Sequence, residues 1–390
     1  MHVLMIGLDA TLITEPEGSS RQRHLAYAER AGQITIVTYT PPGLGGPLAL
    51  SPRLTVIPTN SRSRALFPLD AYRLAARVAR QTPVDLITTQ DPFSTGLVGL
   101  WLRRKLRVPL LVQNHSYYFG NAAWRAEHPL RNRLFEVLGR YVVRRADFYR
   151  AVNRQERDNA LALGLPPERA TILPLGTASP RFAIPPSAKV VQARRTALGL
   201  SAEHKVILWV GYAAKVKRLP VLLEVFRRVA AQEPDARLLL VGSMAYADPD
   251  LPTLAADLGI GDRVIFAGPV GYDDLPPYYA LASVYAHTSA YEGIGRVLME
   301  AGAAGLPLVG MDCVAVNEII EHGVNGYLVP DMNLDGMAAR IVELLRNPAQ
   351  ARALGETARR LALERYPADR YLESWVSLWE QAIRLGRRYP

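Results

Sequence analysis

Two glutamates, Glu292 and Glu300, carry the clearest chemical signal in the sequence. Glu292 precedes a Gly-Ile-Gly loop at 293–295, and Glu300 lies roughly 7 Å further along the helical stretch that follows. Glycines at a strand-to-helix turn let the backbone approach an anion, and the free N–H groups of a helix start attract phosphate. The second carboxylate can accept hydrogen bonds from a vicinal diol such as a ribose. The spacing therefore predicts a nucleotide site, although a lone Gly-x-Gly also fits a solvated helix start.

A basic loop precedes this pair in the chain. Lys215, Lys217 and Arg218 follow a predicted strand that ends at Gly211. Cations at the carboxyl end of a strand can neutralise a departing diphosphate. A solvated loop is the alternative interpretation.

Further polar residues follow strands of the first half. His115 comes after the strand 110–113, and Asp9 with Gly18 and Ser19 follows the first strand. We expect these residues to line the same cleft as the glutamates, with a structural histidine and a loop-turn aspartate as the alternatives.

The elements that must position these residues alternate regularly. Strand-length apolar runs are separated by stretches of helical spacing, which is typical of parallel sheets with helical crossovers. The predicted strands are His2–Leu8, Gln33–Thr40, Leu54–Pro58, Val84–Thr89, Leu110–Gln113, Asp147–Val152, Val206–Val210, Arg237–Val241, Arg263–Ala267, Ser283–His287 and Leu306–Gly310.

A proline-rich stretch at 174–189 interrupts this alternation of strands and helices and divides the chain into two α/β domains. We predict one Rossmann-like domain over 1–185 and a second Rossmann-like domain over 186–366. Ligands are then expected at the carboxyl ends of the strands, in a cleft between the domains. An amphipathic helix within 367–390 is expected to pack toward the first domain.

Composition narrows the class of protein. The 390 residues are 49% hydrophobic without an apolar run long enough for a transmembrane helix, and the start of the chain reads as a strand, not a signal peptide. A single cysteine, Cys313, argues against a disulfide framework or a CxxC metal site. We therefore expect a cytoplasmic protein.

The net positive charge of the chain lies in its first half. Residues 1–185 carry 24 Lys and Arg against 13 Asp and Glu, whereas 186–390 carry 22 against 23. The basic tract Arg131–Arg157 reads as an amphipathic helix that could lie on anionic lipid, or as a solvated helix face. We expect a peripheral position at the inner face of the membrane and, because no recognised nucleic-acid module is visible, no nucleic-acid partner.

Together these stretches resemble the retaining glycosyltransferases of family four, which have the GT-B fold. The segment 292–300 (EGIGRVLME) is similar to the family's Glu-x7-Glu signature, 211–226 to its phosphate-binding loop and 317–330 to its next block. His115 falls where the family has its active-site histidine. The resemblance implies that the domain over 1–185 binds the acceptor and that the domain over 186–366 binds the nucleotide-sugar donor.

The resemblance implies roles for individual residues. Glu300 would hold the ribose, and Lys217 would stabilise the leaving diphosphate with Lys215 nearby. The backbone N–H groups of Gly293, Ile294 and Gly295 would bind sugar hydroxyls and phosphates. Glu292 would contact the donor sugar, and His115 would contact the sugar or orient the acceptor. No metal or cofactor is expected, since cationic side chains take that part in the family.

This chain also departs from the family pattern. Tyr212 stands where the family usually has an arginine, and Lys215 or Arg218 is expected to compensate. Val314 and Ala315 replace a frequent glycine pair, and Gly18-Ser19 replaces a glycine-rich first loop.

The sequence predicts a transferase that moves a sugar from a UDP-, GDP- or ADP-sugar to a lipid-linked or polysaccharide acceptor of the cell envelope. Two alternatives stay open: a nucleotide-sugar epimerase or a phosphorylase on the same fold, and a non-catalytic sugar-nucleotide-binding protein.

Overall fold

The first sheet is built from eight strands. The computed structural model describes residues 1–174, 180–245 and 250–386. The strands of the first sheet are β1 (His2–Gly7), β2 (Gln33–Thr38), β3 (Leu48–Ser51), β4 (Leu54–Pro58), β5 (Leu86–Thr89), β6 (Leu110–Gln113), β7 (Phe148–Ala151) and β8 (Ala170–Ile172). They are ordered β3-β4-β2-β1-β5-β6-β7-β8, and β3 pairs antiparallel to β4 while the other pairs are parallel. Strands such as β1 are buried along their whole length, as expected when helices cover both faces of a parallel sheet.

Helices connect and cover these strands. They are α1 (Thr11–Thr14), α2 (Ser19–Ala31), α3 (Phe67–Gln81), α4 (Ser94–Leu106), α5 (Ala122–Glu127), α6 (Pro129–Val143) and α7 (Arg154–Ala162). Their apolar faces meet the sheet in a core that includes Leu4, Ala71, Val98 and Tyr149.

The last helix of the chain belongs to this first unit. The helix, here α17 (Ala368–Gly386), lies in the unit formed by Met1–Pro174 and Asp369–Pro390. Its Trp375 and Trp379 are buried against Tyr27 of α2, with ring centroids 5.8 and 5.6 Å apart. The large aromatic side chains that the sequence places on one helix face are therefore the residues that dock the helix.

The second unit, Leu175–Ala368, holds a six-stranded parallel sheet. Its strands are β9 (Lys205–Val210), β10 (Ala236–Val241), β11 (Val264–Gly268), β12 (Val284–His287), β13 (Leu308–Met311) and β14 (Gly326–Val329). The order β11-β10-β9-β12-β13-β14 is that of a doubly wound nucleotide-binding sheet, and the strand order reverses between β9 and β12. Loops after these two strands therefore meet at one place on the carboxyl edge.

Helices cover both faces of this sheet as well. They are α8 (Pro180–Ala183), α9 (Ala188–Ala197), α10 (Leu219–Ala230), α11 (Leu251–Asp257), α12 (Pro276–Ala280), α13 (Arg296–Ala303), α14 (Val316–Ile319), α15 (Leu334–Arg346) and α16 (Pro348–Arg365). One core contains Trp209 and Phe226 and the other contains Tyr279 and Tyr285, one on each face of the sheet.

The structure refines several sequence predictions. The predicted α/β class with two doubly wound sheets is confirmed, although β3, β8 and β14 lie outside the predicted strands. The main segment of the first compact unit ends at Pro174, before the predicted boundary at 185. Both α8 and α9 begin inside the proline-rich stretch 174–189. Residues 175–179 of that stretch lie outside the described residues. The predicted cleft between the domains stays a prediction.

One prediction was wrong in its secondary structure. The tract Arg131–Arg157 is not helical throughout, because α6 ends at Val143 and α7 starts at Arg154. The strand that the sequence predicts at 147–152 is confirmed between them as β7. The apolar neighbours of Arg150 place it inside the sheet, where it is 0% exposed. Its charge is therefore not part of a surface helix.

Candidate functional site

The loops that follow β9 and β12 are joined by hydrogen bonds. The backbone N–H of Ala290 donates to the carbonyl of Val216 at 2.9 Å, and the hydroxyl of Thr288 donates to the carbonyl of Lys217 at 3.0 Å. The predicted basic loop and the predicted glutamate loop therefore form one unit at the point where the strand order reverses. Ligands of doubly wound sheets bind at this position.

An ion pair lies at the centre of these loops. Nζ of Lys217 donates to Oε1 of Glu292 at 2.6 Å, and both side chains are largely buried. The same oxygen accepts from the hydroxyl of Ser289 at 2.7 Å and from Nε2 of His287 at 3.0 Å. Burial by itself would raise the pKa of Glu292, but the hydrogen bond from His287 and the charge of Lys217 outweigh it and lower the pKa to about 2. Glu292 is therefore a fixed anion at neutral pH.

The start of α13 lies beside this anion. Gly295 is the N-cap in a left-handed conformation with φ of 61°, and no side chain caps the helix. A β-carbon at this position would lie 3.0 Å from Cδ1 of Ile319 as well as being strained, so both backbone and space favour glycine. The N–H of Leu298 donates to the carbonyl of Gly295 at 2.9 Å, which leaves the N–H groups of Arg296 and Val297 able to bind a ligand anion.

Glu300 is held more tightly than the sequence suggests. It is 2% exposed, with Oε1 accepting from Nε of Arg296 and Oε2 from the hydroxyl of Tyr279, both at 3.0 Å. Burial raises the pKa of Glu300 above its usual value in spite of the charge of Arg296. The hydroxyl of Tyr272 donates to the same carboxylate, so these three donors leave one of its four lone-pair sites for a ligand.

The structure also shows the surroundings of the residues at which this chain departs from the family pattern. Tyr212 is 56% exposed, and its ring centroid lies 5.8 Å from Nζ of Lys217. Arg218 is engaged elsewhere, in an ion pair with Asp331 at 2.6 Å. Lys215 is exposed and has no side-chain partner among the described residues. Ala315 takes a left-handed conformation with φ of 69°, the backbone that a glycine would adopt freely.

His115 belongs to the first unit, in a loop fixed by buried polar groups. Asn114 donates to Glu156 on α7 at 2.5 Å, and the backbone N–H of Tyr118 donates to the other oxygen of Glu156 at 2.7 Å. Burial raises the pKa of Glu156 to about 7, although these donors act in the opposite direction. Sequence analysis missed Glu156, because nothing in a helical Arg-Gln-Glu-Arg stretch marks one residue as buried.

Asp9 and Gly18 order the loop after β1. Oδ1 of Asp9 accepts from the backbone N–H of Thr11 at 3.0 Å, and Oδ2 accepts from the hydroxyl of Ser20 at 2.5 Å. Burial would raise the pKa of Asp9, but the hydrogen bonds from Ser20 and Thr11 lower it. Gly18 is the N-cap of α2 in an extended conformation, and the Ser19 side chain lies outside the described part of the chain. Asp9 therefore serves the loop itself.

A cavity of about 610 Å³ lies beside His115 in the first unit. Its walls combine aromatic rings with a few charged groups. They include Tyr39, Phe67, Phe93, Tyr118, Trp124 and Phe135, with Arg64, Asp91 and Arg131. Such a pocket suits a ligand that has both apolar faces and polar groups.

A second cavity of about 550 Å³ lies between the ends of α4 and α6. It is lined by five arginines, namely Arg103, Arg104, Arg144, Arg145 and Arg169, and by Trp101 and Tyr141. Nε of Arg103 lies 2.6 Å from Oδ2 of Asp147, whereas Cζ of Arg145 lies 3.9 Å from the ring centroid of Tyr141.

Within the described residues, no helix is long and apolar enough to span a membrane.

Two family models match this chain. Residues 191–361 match the family model "Glycosyl transferases group 1" and residues 19–176 match "Glycosyl transferase 4-like domain". The chain is 30% identical over 189 residues to N-acetyl-alpha-D-glucosaminyl L-malate synthase of Bacillus anthracis, covering 48% of each chain. It is 25% identical over 311 residues to alpha-monoglucosyldiacylglycerol synthase of Streptococcus pneumoniae, covering 75% of this chain and 70% of the relative.

The fold is similar to solved structures along almost its whole length. The Anabaena protein HepE in complex with UDP matches with a TM-score of 0.77 at 19% identity, over 97% of this chain and 99% of that one. The fold is thus GT-B. The chain belongs to the group 1 glycosyltransferases, a family of enzymes with the family-four type of signature. The match spans about half the length of the Bacillus anthracis relative.

Proposed function

We propose that the protein transfers a sugar from a nucleotide-sugar to a hydroxyl acceptor with retention of the anomeric configuration. The observation that carries the proposal is the buried Lys217–Glu292 pair beside the uncapped start of α13, where the sheet order reverses. A cation, a fixed anion and free helix N–H groups together match a sugar joined to a diphosphate.

The diphosphate binds to the positive groups in this proposal. Lys217 and the start of α13 hold the phosphate oxygens, and the exposed Lys215 supplies a second cation. Lys215 is better placed than Arg218 to replace the arginine missing at Tyr212, because Arg218 is already paired with Asp331. These cations supply the charge stabilisation that a metal would otherwise give to the leaving group, so we propose a metal-independent reaction.

Glu292 binds the donor sugar and does not attack it. Three donors share its Oε1, and its low pKa makes it a weak nucleophile and a weak base. Oε2, which none of these three donors uses, accepts hydrogen bonds from sugar hydroxyls. This supports a front-face displacement in which a phosphate oxygen takes the acceptor proton.

Glu300 binds the ribose of the nucleotide. Arg296, Tyr279 and Tyr272 fix the orientation of its carboxylate, and the lone pair that they leave accepts from a ribose hydroxyl. The HepE structure contains UDP, which supports a nucleoside diphosphate as the leaving group.

The acceptor occupies the aromatic cavity beside His115. Aromatic walls pack against the apolar face of a sugar ring or against a lipid, and His115 contacts a polar group of the substrate. The name of the Streptococcus pneumoniae relative describes a glycolipid product, which supports a lipid-linked acceptor here.

An anionic membrane surface brings such an acceptor to the enzyme. The outer face of α6 exposes an apolar stripe of Leu130, Leu134, Val137 and Tyr141, and Leu130 is 85% exposed. Arg131, Arg133, Arg144 and Arg145 are exposed around this stripe. Exposed apolar side chains flanked by arginines are typical of helices that lie in the interface of anionic lipid.

Incubation with radiolabelled UDP-, GDP- and ADP-sugars and extracted membrane lipids tests the proposal. We expect one donor to label a lipid or glycan, and the anomeric coupling constant of the product to match that of the donor. An inverted product would overturn retention, and conversion of the donor without an acceptor would identify an epimerase instead.

A further inference from the structure

Arg150 is a buried cation beside His115. It lies on β7, adjacent to β6 and in register with Gln113, and it is 0% exposed. Its Nη1 donates to the carbonyl of Asn114 at 3.2 Å and lies 3.2 Å from Nδ1 of His115. The side chain therefore reaches the histidine from inside the sheet and not from the cavity.

The direction of this hydrogen bond follows from the chemistry of arginine. A guanidinium has five N–H donors and no acceptor, so Nδ1 of His115 must be the acceptor. An accepting Nδ1 carries no proton, and in the neutral ring the proton is then on Nε2. Nε2 has no hydrogen-bond partner among the residues that the structure describes.

We infer that Arg150 is a positioning residue that fixes His115 as the neutral Nε2–H tautomer, so that His115 acts on the substrate as a hydrogen-bond donor and not as a base. The role toward substrate rests on the proposed function. The tautomer itself does not, because it can be measured in the resting protein.

The charges around His115 agree with a neutral ring. Burial, the charge of Arg150 and the charge of Arg23 on α2 each lower the pKa of His115 well below its usual value. The cavity wall presents Arg64 ahead of α3, Asp91 ahead of α4 and Arg131 on α6. These are mostly cations, and the acid Asp91 accepts from the backbone N–H groups of Phe93 and Thr95.

Packing alone does not account for an arginine at this position. Its Nε and Nη2 are buried without a hydrogen-bond partner among the described residues, which is an unfavourable arrangement for a cation. The ring of Trp375 on α17 lies 5.1 Å from Cζ and gives a cation–π contact. Trp375 of the last helix thus contacts the arginine that determines the tautomer and charge of His115.

Nitrogen-15 NMR of histidine-labelled protein tests the inference directly. With His115→Ala used to assign the signal, we expect the wild type to show a protonated Nε2 and an unprotonated Nδ1 from pH 8 to pH 5.5. A proton on Nδ1, or a charged ring at pH 6.5, would overturn the inference whether or not the protein transfers sugar.

Two variants separate the hydrogen bond from the surrounding charge. Arg150→Met removes both donor and charge, so His115 should titrate between pH 5 and 8 and the turnover number should gain an acid limb there. Arg23→Met removes a charge but keeps the hydrogen bond, so the tautomer should be unchanged. An unaltered His115 titration in folded Arg150→Met would contradict the inference. If that variant does not fold, the wild-type spectrum decides.

Discussion

Nζ of Lys217 lies 2.6 Å from Oε1 of Glu292, although 75 positions separate the two residues in the chain. One residue follows β9 and the other follows β12, and these strands are neighbours where the sheet order reverses. The ion pair is therefore a direct product of the topology. It places a cation and a permanent anion where a doubly wound sheet binds nucleotides.

Loss of the Lys217 charge should slow the reaction more than loss of Lys215. We expect Lys217→Met to lower kcat by about 10²–10³-fold, since a preorganised cation at the leaving group is removed. Lys215→Met should lower kcat less than tenfold, because this side chain is exposed to solvent. Steady-state kinetics on both folded variants measures the difference, and equal effects would contradict the assignment.

Glu300→Gln should remove the preference for a ribose. A hydrogen bond to a charged group contributes about 1.5–3 kcal/mol, so the wild type should bind the ribonucleotide at least about tenfold more tightly than its 2′,3′-dideoxy analogue. The variant should bind the two nearly alike by calorimetry. Glu233→Gln, which changes an acid on another part of the unit, is the control. Equal losses for both nucleotides in Glu300→Gln would refute the ribose role.

Glu292 should make stability depend on acid pH. Its pKa is lowered from 4.5 to about 2 in the folded protein, so the unfolded chain binds a proton first as the pH falls. The stabilisation is present above pH 4.5, amounts to about 3 kcal/mol, and declines by about 1.4 kcal/mol per pH unit below that value. Urea unfolding at pH 6, 4.5 and 3.5 should show the gap between wild type and Glu292→Gln narrowing. A constant gap would contradict the low pKa.

His115→Ala should separate donor binding from turnover. The histidine lies in the first unit, whereas the proposed nucleotide site is built by residues of the second. We expect the nucleotide Kd to change less than about twofold while kcat falls about tenfold to a hundredfold, the range of one hydrogen bond to a reacting substrate. Calorimetry and single-turnover kinetics measure the two quantities. A weakened nucleotide Kd would place His115 in the donor site instead.

The α6 stripe should carry membrane binding. Leu134→Gln with Val137→Gln should reduce co-sedimentation with phosphatidylglycerol vesicles at least about tenfold, since two apolar side chains no longer leave water. Ile184→Gln, at an exposed apolar residue of the second unit, is the matched control and should bind as the wild type does. No preference of the wild type for anionic over neutral vesicles would reject the membrane surface as a partner.

Much of the fold follows from local patterns. Continuous apolar runs such as Val206–Val210 predict buried parallel strands, and the alternation with helical stretches predicts double winding. The strands β3 and β8 were missed because they lie at the two edges of the sheet, where most of their side chains are exposed or half-buried and give a weak apolar signal. The apolar run Asp147–Val152 predicted the strand that contains Arg150, but it could not show that the guanidinium is buried, since a charged residue normally marks a surface.

The residue types of the site could be predicted from the sequence, but the hydrogen bonds and ion pairs between them could not. The glycines and glutamates of 292–300 identify a phosphate-binding turn from sequence. That Glu292 is paired with Lys217, and that Tyr279 and Arg296 hold Glu300, depends on tertiary contacts between separate elements. His287 and Ser289, which complete the shell of Glu292, were missed because only the folded turn after β12 brings them to it.

Titration of wild type and Lys217→Met with UDP, GDP and ADP tests the central claim most directly. The claim is that the Lys217–Glu292 pair and the start of α13 hold the diphosphate of a nucleotide-sugar. We predict that one nucleoside diphosphate binds the wild type with a micromolar Kd and that Lys217→Met weakens it at least about tenfold, the range for losing a charged hydrogen bond. Binding of none of the three by the wild type, or an unchanged Kd in the folded variant, would contradict the account.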